Sequence, residues 1–325
     1  MALGLAAANA GALQWDWSRG DAYGIKRGDG SNKLWMDVLA GLGEFAKQAA
    51  PYLTEERSPE VAIVLPQSLQ LSVFNPAALE AQQNSVRALY HYARASAYVV
   101  GEYQSELLGN PKLIILPSPW VLSQKAWDAI LAKVREGATL LVSGRFDADE
   151  HFHATSRPHD VGDDYQPGLL AAREDLIQWP GGEAQLTFSG DKTTYMERAF
   201  FPTGKTFAEI SLGRGRILHV ALPLELNDNR KAIGEVYRFA LSRAGASPVY
   251  TTETQDPGML ICPTALENAT LYVLTSESSS PEPVSFRDGA SGKTFTFQLQ
   301  PGRAALALIG RKGDVLASYN FTTGR

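Results

Sequence analysis

The run Val61-Ala62-Ile63-Val64-Leu65-Pro66 is continuously apolar and ends at a proline. A short apolar run without polar alternation is typical of a strand that is buried on both faces. Such strands belong to parallel sheets, because crossover helices cover both faces of those sheets. This stretch therefore predicts a parallel α/β domain that extends outward from residues 61–66.

The sequence that follows alternates between helical and strand patterns. Further strands are predicted at residues 97–100, 112–117 and 138–144, and helices at residues 79–94, 124–136 and 229–244. Ser123 is the predicted N-cap of the helix at 124–136, and Gly137 and Gly245 are predicted to end the last two helices. Residues 206–212 and 216–222 flank Gly213-Arg214-Gly215 and predict a hairpin. Strand–helix alternation at short intervals predicts a parallel sheet with helices on both faces.

The hydrophobic period changes to two after residue 247. Strands are predicted at residues 270–275, 293–299, 303–309 and 315–319, with glycine and proline between them. Several short strands in about 80 residues are typical of a small antiparallel β-sandwich. The sequence therefore predicts three parts, at residues 1–55, 56–246 and 247–325.

Composition limits the classes of function. The 325 residues are 44% hydrophobic and 20% charged, which is typical of a globular protein, and the net charge of −5 argues against a nucleic-acid partner. No apolar run is long enough to predict a membrane span. Residues 2–12 are rich in alanine but lack a basic start, so they do not predict a signal peptide, and a cytoplasmic location is expected. The single Cys262 excludes an internal disulfide.

The first fifty residues predict one strand–helix unit. Gln14-Trp15-Asp16-Trp17 is typical of a short strand, residues 21–31 of a loop, and residues 35–50 of an amphipathic helix. A single unit of this kind cannot cover both faces of its strand. We therefore expect residues 1–50 to pack onto the middle domain.

The segment from Arg145 to Gln178 interrupts the strand–helix alternation. It is polar, shows no clear period and contains three of the five histidines. Its candidate polar residues are Asp147, Asp149, Glu150, His151, His153 and His159. His-x-His places two imidazoles on one side of an extended chain, as metal sites often do, but no stronger metal-binding spacing is present. The segment is interpreted as a metal site, as a loop that reaches a ligand crevice beyond a sheet strand, or as a surface loop.

Three stretches together resemble one enzyme family. Gln14 to Trp17, with Tyr23-Gly24-Ile25 and residues 27–31, resembles the eighth strand and following loop of a clan-A glycoside hydrolase barrel. The middle domain resembles the class-I amidotransferase-like, flavodoxin-type trimerisation domain of family-42 β-galactosidases. Residues 213–220, followed by Pro223, resemble its closing hairpin, and the last 80 residues lie where those enzymes carry a small β-domain.

This resemblance implies an α/β fold with three components. They are a flavodoxin-like parallel sheet domain, a C-terminal antiparallel β-sandwich and an N-terminal βα remnant of a TIM barrel. The catalytic carboxylates of the family lie at the ends of the fourth and seventh barrel strands, which would precede Met1. The resemblance therefore implies a non-catalytic C-terminal portion of a β-galactosidase-like glycoside hydrolase, serving assembly and bordering a carbohydrate site, with no catalytic residue, cofactor or metal.

The resemblance also implies substrate-binding residues and partners. Trp15 or Trp17 would form the floor of the sugar site; the two side chains alternate, so only one points inward, and packing against the sheet is the other interpretation. Loop residues Asp149, Glu150, His151 and His153 would border the sugar site of a neighbouring subunit. The expected partners are a carbohydrate and further copies of the chain in a homo-oligomer, with a trimer as the related state.

Two other functions remain open. The first is a free-standing carbohydrate- or metal-binding module with a flavodoxin-like core. The second is a hydrolase with its own site in the middle domain, which requires convergent acid and base groups in one pocket. An amidotransferase would need a nucleophilic cysteine near Ser118 or Ser143, and since neither position is a cysteine or fits G-x-S-x-G, amidotransferase activity is not expected.

Overall fold

The computed structural model describes residues 26–27, 29–33, 35–53, 59–170, 173–189, 197–254, 256 and 258–321. The chain divides into two compact units. The parallel-sheet unit comprises Pro59–Pro248, and the β unit comprises Met1–Ser58 together with Val249–Arg325. None of the helices in the described ranges combines the length and apolarity needed to cross a membrane.

The helices and the strands are numbered separately, each in chain order. The helices are α1 (Trp35–Ala49), α2 (Gln67–Gln70), α3 (Asn75–Ala88), α4 (Gln124–Glu136), α5 (Arg157–Asp160) and α6 (Arg230–Ala244). The strands of the parallel-sheet unit are β1 (Val61–Leu65), β2 (Ala97–Gly101), β3 (Leu113–Leu116), β4 (Thr139–Ser143), β5 (Gln166–Leu169), β6 (Glu174–Trp179), β7 (Gly182–Thr187), β8 (Glu197–Phe200), β9 (Phe207–Leu212) and β10 (Gly215–Val220). Those of the β unit are β11 (Tyr250–Thr252), β12 (Met259–Ala265), β13 (Ala269–Ser276), β14 (Glu282–Asp288), β15 (Thr294–Leu299), β16 (Ala304–Gly310) and β17 (Val315–Tyr319).

The central sheet has the strand order β2-β1-β3-β4-β10-β9. Its first five strands are parallel, and β9 closes one edge as the antiparallel partner of β10. Every residue of β3 and β4 is buried, as expected for strands covered on both faces. The predicted parallel α/β sheet and the predicted hairpin at Gly213-Arg214-Gly215 are both confirmed.

Helix α4 begins and ends at the predicted residues, and α6 ends where predicted and begins one residue later. The Ser123 side chain accepts a hydrogen bond from the Ala126 amide at the start of α4, and Gly137 ends that helix at φ +127°. Asn229 caps α6 through the Ala232 amide, and Gly245 adopts the left-handed conformation that ends many helices. Local sequence therefore determines these helix boundaries.

Two segments of this unit differ from the sequence prediction. The helix predicted at 79–94 begins earlier, at Asn75, and continues as a π-helical turn over Leu89–Ala93 until Arg94 turns to φ +60°. The segment from Arg145 to Gln178 is not one irregular loop, because it contains α5, β5 and most of β6. Strand β5 pairs with β8, and strand β6 pairs with β7. These later strands supply the backbone hydrogen bonds of the segment, and the sequence of the segment alone does not indicate them.

The β unit contains two antiparallel sheets. One has the order β11-β14-β15 and the other β12-β13-β16-β17. Both contribute to one buried cluster, in which Phe286 and Phe297 of the first sheet meet Tyr272 and Ala307 of the second. The half-buried Cys262 lies on β12, where burial raises the pKa of its thiol to about 11, consistent with an inert thiol.

Helix α1 belongs to the β unit. Its buried residues Leu42 and Phe45 share a cluster with Leu271 and Leu308 of the four-stranded sheet. The expectation that residues 1–50 pack onto the middle domain is therefore wrong for this helix, because its apolar stripe matches the open face of the four-stranded sheet. The predicted strand from Gln14 to Trp17 lies outside the described residues.

Candidate functional site

Asp149 organises the turn that follows β4. Its Oδ1 accepts hydrogen bonds from the amides of His151 (2.9 Å) and His153 (2.8 Å). The backbone closes the turn through Asp149 N to His153 O (2.9 Å), and Phe152 lies at its tip with φ +64°. The amide of His153 is the main reason that the pKa of Asp149 lies below its usual value.

The turn brings the predicted loop residues together without forming a metal-binding set. The rings of His151 and His153 lie 6.0 Å apart, and Nδ1 of His153 lies 3.4 Å from Oδ2 of Asp149. His159 is separate and pairs with Asp164 at 3.1 Å on the surface. Across the described ranges there is no group of three or more His, Cys, Asp and Glu side chains that could hold a metal ion. Trp15 and Trp17, the other predicted site residues, lie outside the described part of the chain.

Arg157 anchors this loop from inside the protein. Its guanidinium is buried, donates to the carbonyl of Ala148 (2.8 Å) and contacts the side-chain oxygen of Gln124 with two nitrogens (3.2 and 3.1 Å). It also lies over the ring of Trp127. Burial lowers the pKa of Arg157, but an arginine guanidinium keeps its proton in proteins. This residue fixes the base of the turn that carries His151 and His153.

A second buried anchor holds the far end of the loop. Both ring nitrogens of His219 face acceptors, with Nδ1 2.5 Å from Oδ2 of Asp163 and Nε2 2.6 Å from the Gly144 carbonyl oxygen. His219 is fully buried and is surrounded by the rings of Phe146, Tyr165 and Phe201. To donate in both contacts, both ring nitrogens of His219 must carry a proton. If Asp163 carries a proton instead, it donates that proton to Nδ1 of His219.

The usual ligand crevice of this sheet is filled by a side chain of the protein. In sheets of this strand order ligands bind beyond the carboxyl ends of the strands where the order reverses, between β1 and β3. Here the buried carboxylate of Glu102 accepts hydrogen bonds from the amide of Ser68 (2.8 Å), its hydroxyl (2.7 Å) and the amide of Ser123. Glu102 therefore accepts hydrogen bonds from donors at the start of both α2 and α4.

The neighbouring strand ends form a pocket with a polar floor. Ser118 follows β3 in the left-handed region (φ +43°), and Ser143 ends β4. Both hydroxyls donate to Oε2 of the fully buried Glu225, Ser118 at 2.8 Å. The pocket has a volume of about 40 Å³, and Ser118, Ser143, Trp120, Arg145 and Pro223 are among its lining residues.

Aromatic side chains form the outer edge of this pocket. The rings of Phe74, Trp120 and Phe152 contact one another at centroid distances of 4.9, 5.9 and 5.6 Å. The guanidinium of Arg145 lies 5.2 Å above the Trp120 ring and forms an ion pair with Asp147. Because Phe152 belongs to the Asp149 turn, the predicted loop and the pocket form one continuous surface.

The sequence did not identify Glu225, Arg157 or His219 as site residues. Two of them carry a signal that was available: Glu225 lies between Leu224 and Leu226, and His219 lies within the apolar strand β10. A charged or titratable residue inside an apolar run is buried, and buried charges need partners. The sequence does not show which partners, because they come from distant segments, as in the contact between the side chains of Ser118 and Glu225, which lie 107 residues apart. Arg157 lies in a polar stretch and has no such signal.

Comparison with known proteins identifies the fold. No family model and no curated protein matches the chain. Among solved structures, the chain is similar to Gan42B, a GH42 β-galactosidase from G. stearothermophilus, with a TM-score of 0.66 and 14% identity over 91% of this chain and 47% of that chain. It is similar to the β-galactosidase from Rahnella sp. R3 (TM-score 0.65, 13% identity, 91% and 48%) and to that from Bacillus circulans sp. alkalophilus (TM-score 0.63, 15% identity, 90% and 48%).

These similarities are at the level of fold. The chain has the fold of a part of the GH42 β-galactosidases and spans about half the length of the solved structures that it matches. The resemblance inferred from sequence is thereby confirmed, although the identities of 13–15% carry no individual residue role.

Proposed function

We propose that the chain is the non-catalytic C-terminal portion of a β-galactosidase-like glycoside hydrolase, which serves assembly and borders a carbohydrate site. The observation that carries this proposal is the match over nine-tenths of this chain to about half of each GH42 β-galactosidase. A part of such an enzyme without its catalytic domain is suited to assembly and to bordering the carbohydrate site.

The finer fold assignment belongs to the same proposal. The order β2-β1-β3-β4-β10 corresponds to the flavodoxin-like order 2-1-3-4-5, which supports a flavodoxin-like, amidotransferase-like domain. The strained Ser118 at the end of β3 lies where an amidotransferase would carry its nucleophile, and the serine there supports a domain that does not use that chemistry. The shared core of the two antiparallel sheets supports a β-sandwich.

The buried carboxyl groups support a non-catalytic role. Retaining glycosidases need two carboxyl groups about 5–5.5 Å apart that face the substrate. Glu102 and Glu225, the fully buried acidic residues near the strand ends, are instead occupied by hydrogen bonds within the fold. The described sheets contain at most six strands and form no closed barrel, so the proposal assigns the catalytic pair to a barrel outside this chain.

The Asp149 turn is the proposed contribution to the carbohydrate site. His151 and His153 are exposed, while Asp149 and Arg157 fix the backbone that carries them. A rigid turn with exposed imidazoles and the carboxylate of Glu150 offers hydrogen-bond donors and acceptors to sugar hydroxyls. We propose that this turn borders the sugar site of a neighbouring subunit in a homo-oligomer.

An assay of the purified chain on an aryl β-galactoside tests the non-catalytic role. We expect no turnover above the buffer rate from the chain alone, and turnover after co-expression with the product of an upstream reading frame that encodes barrel strands. Turnover by the chain alone that survives repurification would contradict the proposal. The absence of any such upstream frame would favour the alternative, a free-standing carbohydrate-binding module with the same core.

A further inference from the structure

A chain of hydrogen bonds lies behind Glu225. Ser85 Oγ lies 2.8 Å from the carbonyl of Ala81, and Tyr237 Oη lies 2.8 Å from Ser85 Oγ. Tyr237 Oη also donates to Glu225 Oε1 at 3.0 Å. Oε1 of Glu225 is therefore an acceptor for the tyrosine hydroxyl.

Burial acts on the charge of Glu225. The side chain is fully buried, and burial raises the pKa of its carboxyl group above the usual value. The hydroxyls of Ser118 and Ser143 donate to Oε2 and that of Tyr237 to Oε1, so both carboxyl oxygens are used within the fold.

Glu225 determines the polarity of the pocket floor by accepting the serine protons. Ser118 uses its only proton to donate to Glu225, and Ser143 does the same. Ser118 is one of the residues that line the pocket, and the group that its Oγ can offer to a ligand is a lone pair. A ligand atom that reaches this floor must donate a hydrogen bond.

Charge and size restrict the ligand further. Arg145, the charged residue among those that line the pocket, is paired with Asp147 at 2.9 Å, so the site favours an uncharged group. A volume of about 40 Å³ is enough for two or three non-hydrogen atoms, since one water needs roughly 10–15 Å³. The pocket therefore fits one carbon and one hydroxyl, while the rest of the ligand stays outside against Phe74 and Trp120.

We propose that this pocket binds the hydroxymethyl group of a carbohydrate, with its hydroxyl donating to Ser118 Oγ and its ring against the aromatic edge. The apolar walls, which include Leu69, Ala77 and Leu226, contact the methylene carbon. The choice of a carbohydrate over another primary alcohol rests on the proposed function, whereas the donor polarity, neutrality and size rest on the pocket.

A pair of sugars that differ in one hydroxyl tests the proposal. The ligands are methyl β-D-galactopyranoside and its 6-deoxy counterpart, which keeps the ring and lacks only the hydroxyl of the hydroxymethyl group. We expect the galactoside to bind the full chain about tenfold more tightly in an NMR titration of the ¹⁵N-labelled protein, because one buried hydrogen bond is lost in the 6-deoxy sugar. Equal affinities, or no binding of either sugar, would overturn the proposal.

Three variants locate the effect. Ser118→Ala removes the acceptor and Ala77→Val narrows the pocket while keeping Ser118; each is expected to abolish the difference between the two sugars. Ser85→Ala is the matched control, because Ser85 belongs to the same network but lies behind Tyr237 and does not line the pocket. Discrimination that persists in Ala77→Val, with the fold verified by circular dichroism, would place binding elsewhere and refute the proposal even if Ser118→Ala did not fold.

This experiment is separate from the test of the proposed function. Failure of sugar discrimination with successful complementation by a barrel would remove only the pocket assignment. Failure of complementation with clear discrimination would remove the assembly role and keep a carbohydrate-binding pocket.

Discussion

At the scale of single residues, Glu225 shows how the fold controls a polar group. Its carboxyl group is buried and accepts hydrogen bonds from Ser118, Ser143 and Tyr237. Burial raises the pKa of this carboxyl group. Because it takes up the serine protons, the hydroxyl of Ser118 has only a lone pair to offer in the pocket beside the Arg145–Asp147 pair.

Glu225→Gln tests the effect of burial on the carboxyl group of Glu225. Glutamine has nearly the same shape and carries no charge at any pH. A carboxyl group with a raised pKa stabilises the fold fully below its unfolded value of 4.5, and that contribution declines as the pH rises toward the folded pKa. We expect the stability of the wild type to fall relative to Glu225→Gln as the pH rises above 4.5, by up to about 1.4 kcal/mol per pH unit, in urea unfolding. A difference that is constant with pH would show that burial does not raise this pKa.

His219 provides a second residue-scale prediction. Its ring is buried between Asp163 and the Gly144 carbonyl, so replacing it leaves two buried acceptors without donors. We expect His219→Phe to lower the free energy of unfolding by about 3–5 kcal/mol, measured by urea denaturation. The control is His159→Gln, whose exposed pair with Asp164 should be worth at most about 1 kcal/mol. Equal losses in both variants would contradict the role of the buried pair.

At the scale of elements, helix α1 belongs structurally to a sheet that lies more than 200 residues later in the chain. Its apolar residues Leu42, Phe45 and Ala49 pack on the four-stranded sheet of the β unit. The same scale explains the loop after β4, which is held at its base by Arg157 and at its far end by the Asp163–His219 contact. Both the helix and the loop are stabilised by contacts with segments that are distant in the sequence.

Phe45→Ala tests the packing of α1. The ring is buried, and its removal leaves a cavity between helix and sheet, so we expect a loss of about 3–5 kcal/mol in the stability of the β unit. Hydrogen exchange at the β13 and β16 amides measures this loss without interference from the parallel-sheet unit. Lys47→Ala on the exposed side of the helix is the control and should leave exchange unchanged. Unchanged protection in Phe45→Ala would mean that the helix does not stabilise the sheet.

At the scale of the whole molecule, the proposed role requires more than one chain. A turn such as Asp149–His153 can border a sugar site only if another polypeptide brings that site to it. We therefore expect the protein to form a homo-oligomer, with a trimer as the state of the related domain, in light scattering over a range of concentrations. A monomer at every concentration would contradict the assembly role.

The sequence by itself determined the secondary-structure pattern and the family of the fold. The run at residues 61–66, the predicted helix ends at Ser123, Gly137 and Gly245, and the change of period after residue 247 are local signals, and local hydrogen bonds and burial patterns are sufficient to read them. They predicted the parallel sheet, its closing hairpin and the antiparallel sheets, and the Asp149 turn as a polar feature beyond a sheet strand.

The tertiary structure decided which distant residues meet. The partner of helix α1, the hydrogen-bond donors to Glu225 and the paired acceptors of His219 depend on contacts between segments far apart in the chain. A buried polar group takes its protonation state and its partners from whatever the fold places beside it. Sequence patterns report the local environment of a residue, so they identify such a group as buried but leave its chemistry to the folded molecule.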